Sequence, residues 1–102
     1  SATAQANWSV AVGSNATVSS AALSGVAIGL SSSVTASSGV AVGDNANAIG
    51  LYAVALGVNT AGAGNLSAAL GPLASTSGRA AVAIGYQSEA GEEAVAIGDT
   101  AK

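Results

Sequence analysis

Seven side chains carry charge at neutral pH, Asp44, Glu89, Glu92, Glu93 and Asp99 against Arg79 and Lys102, and the chain has no His and no Cys. Nucleophilic arrangements built on Cys-His or Ser-His, and metal sites built on thiolate or imidazole, therefore lack their residue types. The carboxylates do not recur in register, so they form no evident acid–base pair. Asp44 and Asp99 each follow a glycine, but the calcium nonapeptide G-G-x-G-x-D is missing, and both read as solvated turn residues. Gly62-Ala63-Gly64 superficially suggests a phosphate loop, yet no G-x-x-x-x-G-K-[ST] occurs. The expectation is no catalytic residue, no cofactor and no metal; the chain is not read as an enzyme. A net charge of −3 leaves no basic patch for phosphates, so nucleic acid is not an expected partner.

Three weaker signals concern contact, not catalysis. Trp8 and Tyr52 both stand five residues before a recurring glycine (Gly13 and Gly57), in one column of a repeat. Aromatics are favoured contact residues, though turn packing, with Trp8 covering the first coil, is the plainer reading. Glu89, Glu92 and Glu93 either meet a basic ligand or keep an edge soluble and unpaired, and the edge role is preferred. Ordered Thr rows would suggest an ice-binding solenoid, but Thr17, Thr35, Thr60 and Thr76 fall in different columns. Thr17, Ser33, Asn47 and Ser75 instead make a polar outer sheet suited to weak, repeated contacts.

The elements that must position these residues are set by the repeat. A small apolar triplet followed by glycine recurs as Val10-Ala11-Val12-Gly13, Val26-Ala27-Ile28-Gly29, Val40-Ala41-Val42-Gly43, Val54-Ala55-Leu56-Gly57, Ala68-Ala69-Leu70-Gly71, Val82-Ala83-Ile84-Gly85 and Val95-Ala96-Ile97-Gly98. Successive glycines are 16, 14, 14, 14, 14 and 13 residues apart. Three positions after each glycine comes a small residue (Ala16, Ser32, Ala46, Thr60, Ala74, Ser88, Ala101), and two further on another (Val18, Val34, Ala48, Gly62, Thr76, Ala90). That alternation is strand period. Gly50, Gly64 and Gly78 mark a second reversal, so each repeat reads strand, turn, strand, turn. Helix is the competing reading, but regular glycines, β-branched valines and the lack of i,i+4 charge pairs argue against it.

Strands of about four or five residues are expected, with residues 1–8 as lead-in and cap and 9–102 as repeats of a single domain. Fourteen residues suffice for a flattened, two-sided coil. Seven coils stacked ~4.8 Å apart give a parallel β-roll roughly 30 Å long, with glycine supplying positive φ at the corners. The longer first interval places an enlarged outer turn at Ser19 to Ser24.

Within each triplet the outer residues share one face and the middle residue points to the other. The middle residue is Ala throughout, which assigns Ala11, Ala27, Ala41, Ala55, Ala69, Ala83 and Ala96 to the roll interior. Val10, Val12, Val26, Ile28, Val40, Val42, Val54, Leu56, Leu70, Val82, Ile84, Val95 and Ile97 then form an outward apolar face, too long for a monomer to expose. The face drives association without fixing its order. The opposite arrangement, Val and Ile inside with Ala outside, stays open.

The triplet with its preceding small residue resembles the S-V-A-I-G motif of YadA-type trimeric autotransporter adhesin heads: Ser9 to Gly13 reads S-V-A-V-G, and Ala81 to Gly85 and Ala94 to Gly98 read A-V-A-I-G. A companion small-x-Ala-x-Gly pattern is matched at Ala46-x-Ala48-x-Gly50 and approximately at Thr60-x-Gly62-x-Gly64 and Ala74-x-Thr76-x-Gly78. The resemblance covers Ser9 to Lys102. It implies a left-handed parallel β-roll assembled as a homotrimer, on the surface of a Gram-negative bacterium. It also implies attachment to host extracellular matrix proteins or cell-surface receptors, or autoaggregation. A passive spacer in an adhesin fibre is the alternative. Ala68 departs from the pattern where Val is usual. No apolar run approaches the ~18 residues of a membrane span, and no basic neck, stalk, barrel or export signal is recognisable. A head segment, anchored to the outer membrane through other regions, is expected.

Overall fold

The computed structural model describes residues 1–102 and contains fourteen strands and no helix. The triplets form one seven-stranded sheet: β2 (Val10–Val12), β4 (Val26–Ile28), β6 (Val40–Val42), β8 (Val54–Leu56), β10 (Ala68–Leu70), β12 (Val82–Ile84) and β14 (Val95–Ile97). A second seven-stranded sheet is built from doublets: β1 (Thr3–Ala4), β3 (Thr17–Val18), β5 (Ser33–Val34), β7 (Asn47–Ala48), β9 (Ala61–Gly62), β11 (Ser75–Thr76) and β13 (Glu89–Ala90). Every pairing is parallel and column-true; Val26 pairs Val40, Ala27 pairs Ala41 and Ile28 pairs Val42. The chain winds from one sheet to the other and back once per repeat, giving a parallel β-solenoid of about seven coils. Its extents are 34 × 21 × 13 Å, the long one agreeing with seven coils at strand spacing.

Two expectations are corrected in detail. The strands are three and two residues long, not four or five, because the glycine after each triplet takes φ between +117° and +132° and ends the ladder at once. The lead-in is itself half a coil, since Thr3 pairs Thr17 and Ala4 pairs Val18. The long interval is absorbed where it was placed: residues 19–25 separate β3 from β4, whereas residues 35–39 separate β5 from β6. The short interval is absorbed by residues 91–94, between β13 and β14.

Both corners are the same four-residue turn. At one, the amide of the fourth residue donates to the carbonyl of the first, as in Ala46 N–H to Gly43 at 3.3 Å; at the other, Ala53 N–H reaches Gly50 at 3.2 Å. The third residue of each turn sits in the left-handed region: Asn15, Asn45 and Asn59 at one corner, Trp8, Tyr52 and Leu66 at the other, with φ of 56° to 61°. Positive φ at the third position alone is the type II pattern, which favours Gly or Asn there and Pro before it. Asn45 and Asn59 supply the first preference and Pro72, ahead of Leu73 (φ 63°), the second.

Gly50, Gly64 and Gly78 therefore do not supply the reversal. Their φ is ordinary, and the reversal falls two residues later. They are glycines because the turns stack. A Cβ on Gly50 would run into the Gly64 carbonyl, and one on Gly64 into that of Gly78. Turn amides also bond from coil to coil, as in Asn45 N–H to the Leu30 carbonyl at 2.8 Å, so corners as well as strands satisfy their backbone groups.

The interior is one side chain thick from each sheet. Ala27, Ala41, Ala55, Ala69 and Ala83 are fully buried, Ala96 nearly so, and Ala11 is half-buried at one end. Across from them lie the small residues of the doublet sheet, such as Ala16, Val18, Val34, Ala46 and Ala48. Volume is balanced locally. Where the doublet contributes Val18 or Val34, the residue before the next triplet is Gly25 or Gly39; where it contributes Ala48, that residue is Ala53. A Cβ on Gly39 would lie 2.7 Å from Cγ1 of Val34, so the valine methyl occupies the space a larger partner would need.

Polar residues interrupt the interior between its two apolar clusters, one ending at Ala55 and the other starting at Ala81. Thr60 donates to the Gly57 carbonyl at 3.1 Å, and Thr76 donates to the Ser67 hydroxyl at 2.8 Å, which donates in turn to the Gly64 carbonyl. No buried side-chain polar atom lacks a partner, as a thin interior requires.

Candidate interaction surface

The triplet sheet presents two columns outward. The first holds Val10, Val26, Val40, Val54, Ala68, Val82 and Val95; the second holds Val12, Ile28, Val42, Leu56, Leu70, Ile84 and Ile97. Side chains at the middle of the rod are half-buried by their column neighbours, while Val95 and Ile97 at one end are each 65% exposed. No element of the chain covers this face. Ala68 leaves a shallow step beside Val54 and Val82, its sheet neighbours. Parallel, in-register pairing makes the face flat and continuous, because each coil repeats the same outward columns.

The opposite face is different in kind. Thr17, Ser33, Asn47, Ala61, Ser75 and Glu89 form its main outward column, and Ser33 donates to Oδ1 of Asn47 at 2.8 Å. Beside them Ser19 and Thr35 donate to the carbonyls of Thr35 and Ile49 at 3.2 and 3.3 Å. Ile49 is the large apolar residue exposed on this side. Hydroxyls and amides thus cap the coil edges and leave a mainly neutral, hydrated surface.

At the corners, Trp8 is 82% and Tyr52 57% exposed, so neither is buried by turn packing within the chain. Corner residues that the sequence reading passed over are exposed as well: Leu23, Leu51 and Leu66 on the side before the triplets, Leu30, Val58, Leu73 and Tyr86 on the side after them. The signal was available as apolar residues at turn positions, where polar ones are usual. Charge gathers at one pole. Arg79 meets Glu93 at 2.6 Å and Lys102 meets Glu89 at 3.8 Å, all more than half exposed and therefore weak ties. Asp44 and Asp99 lie apart, each just after a corner glycine, and no three acidic residues converge. The single concavity is an open depression lined by Leu73, Gln87, Glu89, Thr100 and Lys102 at that pole.

A two-sheeted coil of V-A-x-G triplets, with small residues inside and an apolar column pair outside, is a repeat-family signature, and the family model for the YadA head domain repeat (2 copies) matches residues 21–46, 35–60 and 63–88. The chain belongs to the YadA head family. No curated protein matches it. The matched windows of this YadA-type head include the second to sixth triplets, so the regular middle of the rod carries the family pattern. The windows leave out the lead-in half-coil, the first triplet and the last one, Val95-Ala96-Ile97. Membership makes it an adhesin-type surface module; the family is one of adhesins, not of enzymes.

Proposed function

We propose that the chain is the head of a homotrimeric bacterial surface adhesin, with the Val/Ile columns of three left-handed rolls turned to a common axis and the polar sheets turned out. The observation that supports it is the uncovered triplet face: two apolar columns run the length of the rod, more than a monomer of this size leaves in water. Each fully buried Val, Ile or Leu is worth about 1.5 to 3 kcal/mol, so burying even part of the face against two partners offsets the entropy of association. The chemistry of the opposite face fits contact with host extracellular matrix proteins, cell-surface receptors or another head. Three copies of a neutral, hydroxyl-rich sheet gain strength by avidity, not by one deep site. The head is held at the outer membrane by an anchor elsewhere in the protein.

Val40→Asp with Val42→Asp tests the assembly. Light scattering should change from trimer to monomer mass, because the trimer would bury six unpaired carboxylates; a trimer mass that persists removes this face from the interface. Adhesion is tested by binding the wild-type head and the monomeric variant to immobilised collagen, fibronectin and laminin. Strong retention of the trimer and weak retention of the monomer is the expected outcome. Equal failure of both on every ligand, with no self-aggregation, would instead favour a passive spacer in an adhesin fibre.

A further inference from the structure

Three of the six asparagines stand in the pattern Asn-x-Ser/Thr: Asn7-Trp8-Ser9, Asn15-Ala16-Thr17 and Asn65-Leu66-Ser67. That is the acceptor pattern for N-linked glycosylation, and it calls for a surface turn on an exported protein. All three asparagines are exposed and sit on corners, off the two triplet columns.

The fold accounts for the hydroxyls of these patterns but not for two of the asparagines. Ser9 and Ser67 donate across their turns to the carbonyls of Ala6 and Gly64, and Thr17 donates to that of Asn15. Asn15 has a left-handed φ of 61°, which by itself favours asparagine. Asn7 and Asn65 have no such reason. Each is the second residue of the turn before a triplet, where φ is ordinary and other coils place Leu23, Ser37, Leu51, Arg79 and Glu92.

Their amide nitrogens are also free. Asn45 donates from Nδ2 to Oδ1 of Asn59 at 2.8 Å, and Asn47 to the Asn45 carbonyl at 3.4 Å. Asn7 and Asn15 donate to no group of the chain, and Asn65 uses only Oδ1, which accepts from the Leu51 amide at 2.9 Å. A sugar on Nδ2 leaves that carbonyl oxygen and its bond in place. The residue after each of the two unexplained asparagines is a second, independent sign. Trp8 and Leu66 are large, apolar and exposed, at φ of 57° and 60° on the corner, and no element of the chain covers them. A hexose on the preceding asparagine would stand beside them and offer its C–H face.

We infer that Asn7, Asn15 and Asn65 are glycosylation sites that take a hexose activated as its diphosphate ester. In the transfer Nδ2 bonds to the anomeric carbon. The bond from that carbon to the diphosphate oxygen breaks, its electron pair leaves with the diphosphate, and the amide gives one proton to a base of the transferase. Transfer precedes folding, because the hydroxyl of the pattern must be reachable, and in the folded head Ser67 is buried and bonded to both Gly64 and Thr76. The inference rests on the chain being a surface module and adds a covalent modification to it.

The test is protease shaving of intact cells that make the protein, with the released peptides weighed by mass spectrometry. Sugar on all three asparagines is the expected result; a single hexose marks a nucleoside diphosphate donor, and an oligosaccharide of one fixed mass marks a lipid-borne one. Released peptides with all three asparagines bare overturn the inference and leave the surface reading standing. Peptides found only after lysis overturn both. Ser67→Ala in the same cells should lose the sugar at Asn65 alone, since the asparagine stays while its pattern is broken. Ala61→Thr completes the pattern at Asn59-Thr60, on an outward column that already holds Thr17, and should add a fourth modified site. That variant keeps the test if loss of the Ser67 hydroxyl perturbs folding. Sugar persisting at Asn65 without that hydroxyl, or a bare Asn59 in the Ala61→Thr head, removes the pattern as the acceptor.

Discussion

Glycine and the left-handed turn residues divide the corner between them. A glycine of ordinary φ, Gly64, is held by contact, since an added methyl meets the Gly78 carbonyl of the next coil. Gly64→Ala should therefore destabilise the head by about 2 kcal/mol or more, as overpacking against backbone does, read as a lower denaturation midpoint. Ala80 is the converse case. Its φ of 58° costs an L residue roughly 1 to 2 kcal/mol, while its column neighbours Leu66 and Glu93 show that the position tolerates varied side chains. Ala80→Gly should raise stability by up to about 1 kcal/mol after the glycine entropy is subtracted; a lower midpoint would place the strain elsewhere. Sequence spacing marked both kinds of position as corners, but could not say which residue carries the reversal.

At the scale of the coil, the thin interior is balanced by pairs and not by a shared core. Val34 and Gly39 share the volume that Ala48 and Ala53 share one coil on. Gly39→Ala alone should cost about 1 to 3 kcal/mol, and Val34→Ala alone should cost a similar amount through lost burial and a cavity. The double variant rebuilds the Ala/Ala arrangement, so most of the loss should be recovered, with a coupling of about 1 kcal/mol or more in a double-mutant cycle. Additive losses would show that the coil relaxes around each residue separately. Ala41→Leu has no such partner to yield space, being fully buried under the triplet sheet, and should lower the melting midpoint with no rescue at Val34. Tolerance of that leucine would mean that the triplet sheet can lift away from the doublet sheet.

In the proposed trimer, stability and association are linked. A rod whose apolar face is uncovered in the single chain should gain stability from its partners by mass action, so its melting midpoint should rise with protein concentration. The Val40→Asp and Val42→Asp variant should melt lower and independently of concentration. Ionic strength should matter little to the assembly, because the outward triplet columns hold no charge and the exposed ion pairs Arg79–Glu93 and Lys102–Glu89 lie on other surfaces. A trimer that dissociated in moderate salt would point to charge, not the Val/Ile face, as its cement.

The sequence by itself determined the repeat, the number of coils, the two-strand coil and the invariant alanine between larger residues, because period and side-chain alternation are local properties of the chain. It also carried the family likeness, since V-A-x-G recurs often enough to be specific. Only the tertiary structure decided that the left-handed residue falls two positions after Gly50, Gly64 and Gly78, that valine is matched by glycine across the interior, and that residues 3–4 already belong to the stack. Those depend on distances between coils, which sequence separation does not encode. Turn residues that look like scattered hydrophobes along the chain, such as Leu23, Leu30, Leu66 and Leu73, become two aligned edges only after the coils are stacked.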